Sequence, residues 1–134
     1  MHEERNFEPV PPEVDRAAQQ TVDAALKVHR ALGPGLIESV YESCLAHELR
    51  KRGIEVETQV DLPVVYDGIT LDAAYRLDLL VHRCLVVELK AVDALTGLHE
   101  AQLLTYLRLT GYRLGLLINF NVPILKKGIK RIVL

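Results

Sequence analysis

Tyr75-Arg-Leu-Asp-Leu-Leu-Val81 and Leu85-Val-Val-Glu-Leu-Lys-Ala91 are two short apolar runs separated only by His82, Arg83 and Cys84. Runs of this length joined so closely suit an antiparallel hairpin, and that narrows what the rest of the chain can build. Side chains alternate along a strand, so Glu88 and Lys90 share a face. With residues 82–84 as the loop, Val81 pairs with Leu85 and, counting outwards, Asp78 lies opposite Glu88. Directly opposed residues have Cβ atoms roughly 4.5–5.5 Å apart, close enough for two carboxylates to share one divalent cation. A two-residue turn would instead oppose Asp78 to Val87 and send the acids to opposite faces. Hairpin parity therefore decides whether a site exists.

Aliphatic residues occupy both faces of these strands: Leu77, Leu79 and Val81 on one, Leu80 and Val86 beside the acids on the other. Such strands are central, with helices covering at least one face. Two carboxylates there repel each other and resist ionisation unless something positive relieves them. A hard cation does so, and Mg²⁺ characteristically takes one or two protein carboxylates, several waters and phosphate oxygens. Lys90 adds a positive group aimed at the same space. The plainer reading is a structural ion pair of Lys90 with Glu88 or Asp78. Against it stand two further residues, Gln102 and Tyr106, four apart on the run Leu98–Leu109 between Gly97 and Gly111. That run reads as a helix, and the pair share one of its faces. An amide and a phenol there offer donors to a phosphate or to the lysine without adding charge.

The remaining pattern supplies an architecture. A helix is expected from Pro12 to about Ala31, with Val14, Ala18, Val22, Ala25 and Val28 on one stripe, stopped by Gly33-Pro34-Gly35. A second is expected from Ile37 to Lys51, ending at Gly53. Residues 54–60 and 62–66 read as an extended arm interrupted by Asp61 and Pro63, closed by the Asp67-Gly68 turn. Strands 71–81, 85–91 and 113–119 follow, with 129–133 as an edge strand. The helix between strands 85–91 and 113–119 acts as a crossover and makes that pair parallel. The fold class is α/β, a mixed sheet with helices packed against it.

These residues also resemble a known family. The order Asp78, Glu88-x-Lys90, Gln102-x-x-x-Tyr106 resembles the PD-(D/E)XK nuclease superfamily in the branch bearing a QxxxY signature, with Leu77 where a proline often precedes the aspartate. Gly35-Leu-Ile-Glu38-Ser-Val-Tyr41 looks like the motif that names the GxxExxY proteins. The resemblance runs from about His29 to the C-terminus, through Leu117-Ile-Asn-Phe120 and Ile129-Lys-Arg-Ile132. It implies a restriction-endonuclease-like αβββαβ core with an extra N-terminal helix, filling residues 12–134 as one domain behind a flexible lead-in at 1–11. It implies Asp78 and Glu88 as ligands of Mg²⁺ or Mn²⁺, Glu38 in the same metal shell, and Lys90 positioning or activating the attacking water. Gln102 and Tyr106 would orient substrate or lysine, and His29 is a further candidate ligand. The implied activity is metal-assisted phosphodiester hydrolysis in nucleic acid, DNA ahead of RNA.

Composition sets bounds on that expectation. With 134 residues, 49% of them hydrophobic, the chain can fill one core. A formal net charge of −2 denies it a global basic field for nucleic acid. Local basic runs exist at Arg50-Lys51-Arg52 and across Lys126, Lys127, Lys130 and Arg131. Cys44 and Cys84, the only cysteines, form no metal-like pair or disulfide framework. Without a signal-type segment or a run approaching ~20 apolar residues, a soluble cytoplasmic protein is expected, with no membrane partner. Two alternatives remain open: a nuclease-like module that binds nucleic acid or a protein without cutting, and an oligomer, a homodimer for instance, using the 129–133 edge.

Overall fold

The computed structural model describes residues 9–134. Most of the lead-in expected over 1–11 lies outside the described residues. Val10 already packs against the core. The first helix, α1, spans Pro12–Leu32 and buries Val14, Ala17, Ala18, Ala24, Ala25 and Val28. Four of those six are alanines, which lets the helix axis lie close to the sheet. A Gly33-Pro34-Gly35 link leads to α2 (Glu38–Lys51), which buries Tyr41, Leu45, Ala46 and Leu49. Lys27 of α1 and Arg52 both pair with Glu48 of α2, and Arg52 also reaches Asp23.

Five strands follow in one sheet: β1 (Val56–Tyr66), β2 (Ile69–Val81), β3 (Leu85–Lys90), β4 (Leu114–Asn119) and β5 (Ile129–Val133). Their spatial order is their sequence order. All neighbours are antiparallel except β3 and β4, which are parallel and joined through α3 (Gly97–Thr110). That is the mixed α/β sheet expected, with αβββαβ running from α2 to β4 and α1 as the extra helix. α1 and α2 cover one face, over Leu79, Val81, Leu85, Val87, Leu116 and Ile118. α3 covers the other, setting Leu103 and Leu107 on Leu80, Val86 and Leu117. β3 and β4 are covered on both faces, which is why they read as almost unbroken aliphatic runs.

Two expectations need correction. β1 is one continuous strand, not an arm broken at Asp61 and Pro63: the register shifts between Leu62 and Val64, and proline is tolerated because β1 is an edge strand. The second concerns faces. Val81 and Leu79 lie in the core under α1 and α2, but Leu77, two residues further back, lies under α3 with Leu62. Strict alternation would keep all three leucine and valine side chains together. On β1, Val56 likewise belongs to the first core while Val60 packs on the second. The β1–β2 ribbon therefore turns over between these positions, where Gln59 faces Asp78. Gln59 has a φ of 52°, a left-handed conformation that non-glycine residues seldom adopt.

Candidate active site

The loop of the β2–β3 hairpin settles the parity. Val81 pairs with Leu85, Leu80 with Val86 and Leu79 with Val87. His82 and Arg83 take left-handed φ values of 49° and 54°, and the Cys84 N–H closes the turn on the Val81 carbonyl at 3.0 Å. The next rung would be Asp78 opposite Glu88, and there the backbone ladder stops. β2 leaves with β1 while β3 continues with β4. The two carboxylates fill the opening. Glu88 Oε1 accepts from the Asp78 N–H at 3.1 Å, and Asp78 Oδ2 accepts from the Leu89 N–H at 2.8 Å. Side-chain oxygens thus replace backbone carbonyls at the point where the strands separate, so two N–H groups stay satisfied in a buried place.

Removal from water dominates the electrostatics. Burial, with Asp78 beside it adding to the rise, pushes the Glu88 carboxyl up to about 8 against the opposing pull of the Asp78 N–H and Lys90. Asp78 is raised for the same first reason, burial, with Glu38 adding to the rise and the Leu89 N–H, Lys90 and Gln59 opposing it. Like charges this close do not both ionise readily without a cation. Lys90 acts on both acids, yet among the described residues it makes no ion pair with either, which removes the plain structural salt bridge.

Glu38 arrives from the opposite side of the opening. It occupies the first turn of α2, and its Oε1 accepts from the Ala91 N–H, just past the end of β3, at 3.3 Å. Tyr41, one turn later, fixes that turn: its hydroxyl donates to the Gly33 carbonyl at 2.6 Å and accepts from the Leu36 N–H at 3.1 Å. The ring stacks on Phe120 with centroids 4.5 Å apart. The glycine, glutamate and tyrosine of the Gly35–Tyr41 motif therefore have distinct physical jobs: a positive-φ link, an acid facing the sheet opening, and a buried clamp that holds the link. A cavity of about 340 Å³ opens here, lined by Glu38, Ser39, Glu42, Gln59, Asp78 and Leu89.

Glu42 and Gln59 were not singled out by sequence. Glu42 lies four residues after Glu38, on the same face of α2, and that spacing was the available signal. Burial raises its carboxyl, Asp78 and Glu38 add to the rise, and the Gln59 amide donates to it. Asn119 was also missed as a functional support. It pairs in register with Lys90, is 1% exposed, accepts from the Val92 N–H and donates to the Val92 carbonyl. It holds the chain as it leaves β3.

The α3 side contributes Tyr106. Its hydroxyl is raised by burial, then by Glu88, Tyr75 and Asp78, and its ring lies 5.6 Å from that of Tyr75. Gln102 is on the same helix but exposed, in no hydrogen bond among the described residues. His29 stands apart. It is buried on α1, and its Nε2 lies 2.7 Å from the Val122 carbonyl, so that nitrogen carries the proton and donates. The imidazole secures the 120–122 loop, and no interaction joins it to Asp78 or Glu88.

The donor set suits a hard cation. It is all oxygen, with Glu88 buried, Asp78 half-buried and Glu38 open to solvent, although no three His, Cys, Asp or Glu side chains among the described residues are drawn together as a closed metal cluster. An open set of two carboxylates with a third nearby is the kind that a hard divalent cation takes while keeping several waters. Among the described residues, no helix is long and apolar enough to cross a membrane.

No curated protein and no solved structure matches the chain significantly. A family model, that of the PD-(D/E)XK nuclease superfamily, matches residues 15–132. That span takes in every element of the sheet and both sides of the acidic opening, and the chain belongs to the PD-(D/E)XK nuclease superfamily.

Proposed function

We propose that this protein is a metal-dependent nuclease of the GxxExxY group, hydrolysing phosphodiester bonds in nucleic acid, with residues 12–134 as its one nuclease-like domain in the cytoplasm. The observation that carries the reading is the pair Asp78 and Glu88, half-buried and buried where β2 and β3 part, with Glu38 across the opening and Lys90 two residues along β3. A divalent cation bound there would polarise the phosphate and lower the pKa of its bound water. Asp78 and Glu88 would hold it, and Glu38 would complete the shell directly or through water. Lys90 lies where its ammonium can stabilise negative charge developing on phosphorus. Tyr106, close enough to Glu88 to feel its charge, can donate to a phosphate oxygen, with Gln102 a turn away as a second contact.

Labelled single- and double-stranded DNA and RNA, incubated with Mg²⁺ or Mn²⁺, test this directly. Glu88→Ala and Lys90→Ala should each lower cleavage by at least about a hundredfold. Activity unchanged in both variants would remove the site. A second reading has its own support: both carboxylates are already engaged by backbone N–H groups, as in a module that keeps the fold and binds without cutting. Titration calorimetry with Mn²⁺ separates the two, since a non-cutting binder has no need to take up the metal.

A further inference from the structure

The geometry points to Gln59 and Glu42 as a positioning pair that ties α2 to the β1–β2 ribbon where the ribbon turns over, and so sets how Glu38 faces Asp78. The inference rests on the reading of Glu38 and Asp78 as parts of one site. Its starting point is the ribbon. Thr58 pairs with Leu79 and Val60 with Leu77, so Gln59 and Asp78 occupy the rung between, where the side-chain faces exchange. Without that exchange Tyr75 and Leu77 would not lie on the α3 side, and Asp78 would not lie in the gap. The left-handed backbone of Gln59 is the local distortion at this rung, a conformation that is unfavourable for a non-glycine residue.

The side chain that accepts this strain is placed to act. Gln59 Nε2 donates to Glu42 Oε1, and both residues line the cavity that holds Asp78 and Glu38. Glu38 and Glu42 are one helical turn apart on α2, so a tie at Glu42 restrains the turn that carries Glu38. Elsewhere α2 is held by its buried face, through Tyr41, Leu45 and Leu49, and at its C-terminal end by the Glu48–Lys27 pair and by Arg50 on the Val56 carbonyl. Those contacts fix the height of the helix over the sheet. The Gln59–Glu42 bond constrains its rotation at the acidic end. A glutamine serves there where a lysine would not: it satisfies a carboxylate without supplying the positive charge that would compete with a cation.

The test uses the full chain without metal, and then with Mn²⁺. Its first readout is hydrogen exchange at the Ala91 N–H, which Glu38 Oε1 accepts, because this reports the Glu38 placement whether or not the protein cuts anything. Gln59→Gly keeps the left-handed backbone and removes the amide; Glu42→Ala removes the acceptor; Glu42→Gln keeps an acceptor oxygen without charge. Gln59→Gly and Glu42→Ala should speed Ala91 exchange roughly two- to tenfold at nearly unchanged urea midpoint, and weaken Mn²⁺ binding. Glu42→Gln should keep Ala91 at the wild-type rate, which a purely electrostatic role for Glu42 would not allow. Wild-type exchange in both Gln59→Gly and Glu42→Ala overturns the pairing, as does Glu42→Gln behaving like Glu42→Ala. Asp78→Asn and Glu88→Gln serve as the control on metal: if they leave Mn²⁺ affinity untouched, the metal-site reading fails, and the Ala91 rates still decide the positioning pair.

Discussion

Glu88 is where the fold creates a problem that its own side chains only partly solve. Its carboxyl titrates near 8 in the folded protein against an ordinary value of 4.5, burial being the main cause. Below the lower value both folded and unfolded states hold the proton and burial is fully tolerated. Between the two values the native state alone keeps it, so stability falls as pH rises, and above the upper value the loss is complete. In chelator, the urea midpoint should therefore decline from about pH 5 to about pH 8.5, and Glu88→Gln should flatten most of that decline. The smaller remainder belongs to Asp78, which is raised in the same direction. A midpoint that rises with pH over this range would contradict the burial. Tyr41 makes a second residue-level case. Its hydroxyl satisfies two backbone groups of the 33–36 link, so Tyr41→Phe should cost about 1–3 kcal/mol by urea denaturation. As candidates, Asp78, Glu88 and Lys90 were legible in the sequence because charge inside an aliphatic strand stands out. Glu42 and Gln59 were not, because a glutamate on a helix and a glutamine in an exposed strand look like ordinary surface.

Among the elements, β4 and α3 approach each other closely. A Cβ on Gly115 would come within 2.8 Å of the Leu103 side chain, so the glycine is there for close approach. Gly115→Ala should destabilise by about 1–3 kcal/mol in thermal melts, and much of that cost should disappear in a Leu103→Ala background, where the loss of packing and the overpacking offset each other. Strict additivity of the two changes would place the strain elsewhere. α3 itself begins with a reciprocal cap: Thr96 accepts from the His99 N–H, and the His99 ring accepts from the Thr96 N–H. It ends on Gly111 at a φ of 81°. The end was readable, since glycine after an apolar helix is a strong stop signal. The cap was less so because histidine stands at the position where glutamate or glutamine is usual. The element hardest to foresee was the ribbon. Period-two reasoning puts Leu77 with Leu79, and only the turnover at Gln59 and Asp78 separates them.

For the molecule as a whole, a cation held in the acidic opening, as proposed, would couple stability to metal. A ligand that binds only the native state adds RT ln(1 + [L]/Kd), or about 1.4 kcal/mol at tenfold excess over Kd. Mn²⁺ should therefore raise the melting temperature, and raise it more at about pH 8 than at about pH 5.5, because protons compete for the same oxygens. Asp78→Asn combined with Glu88→Gln should erase that shift. An equal rise in the double variant would mean that the metal binds elsewhere. The charge balance acts at this scale too. With a formal net charge of −2, the protein lacks a general attraction for phosphate, so under the proposed function any grip on nucleic acid would come from local groups such as Lys90 and a bound cation.

Strand and helix identity, the parallel crossover and the meeting of Asp78 with Glu88 were all written in periodicity, loop length and turn residues. These are local quantities, and a three-residue loop leaves little freedom in register. Three matters were decided only by the tertiary structure: the point where β2 parts from β3, the exchange of faces along the ribbon, and the rotation of α2 that turns Glu38 and Glu42 towards the gap. Each depends on how twisted surfaces pack when two helices cover one side of a sheet and one covers the other. No spacing along the chain encodes the angle at which distant elements come to rest.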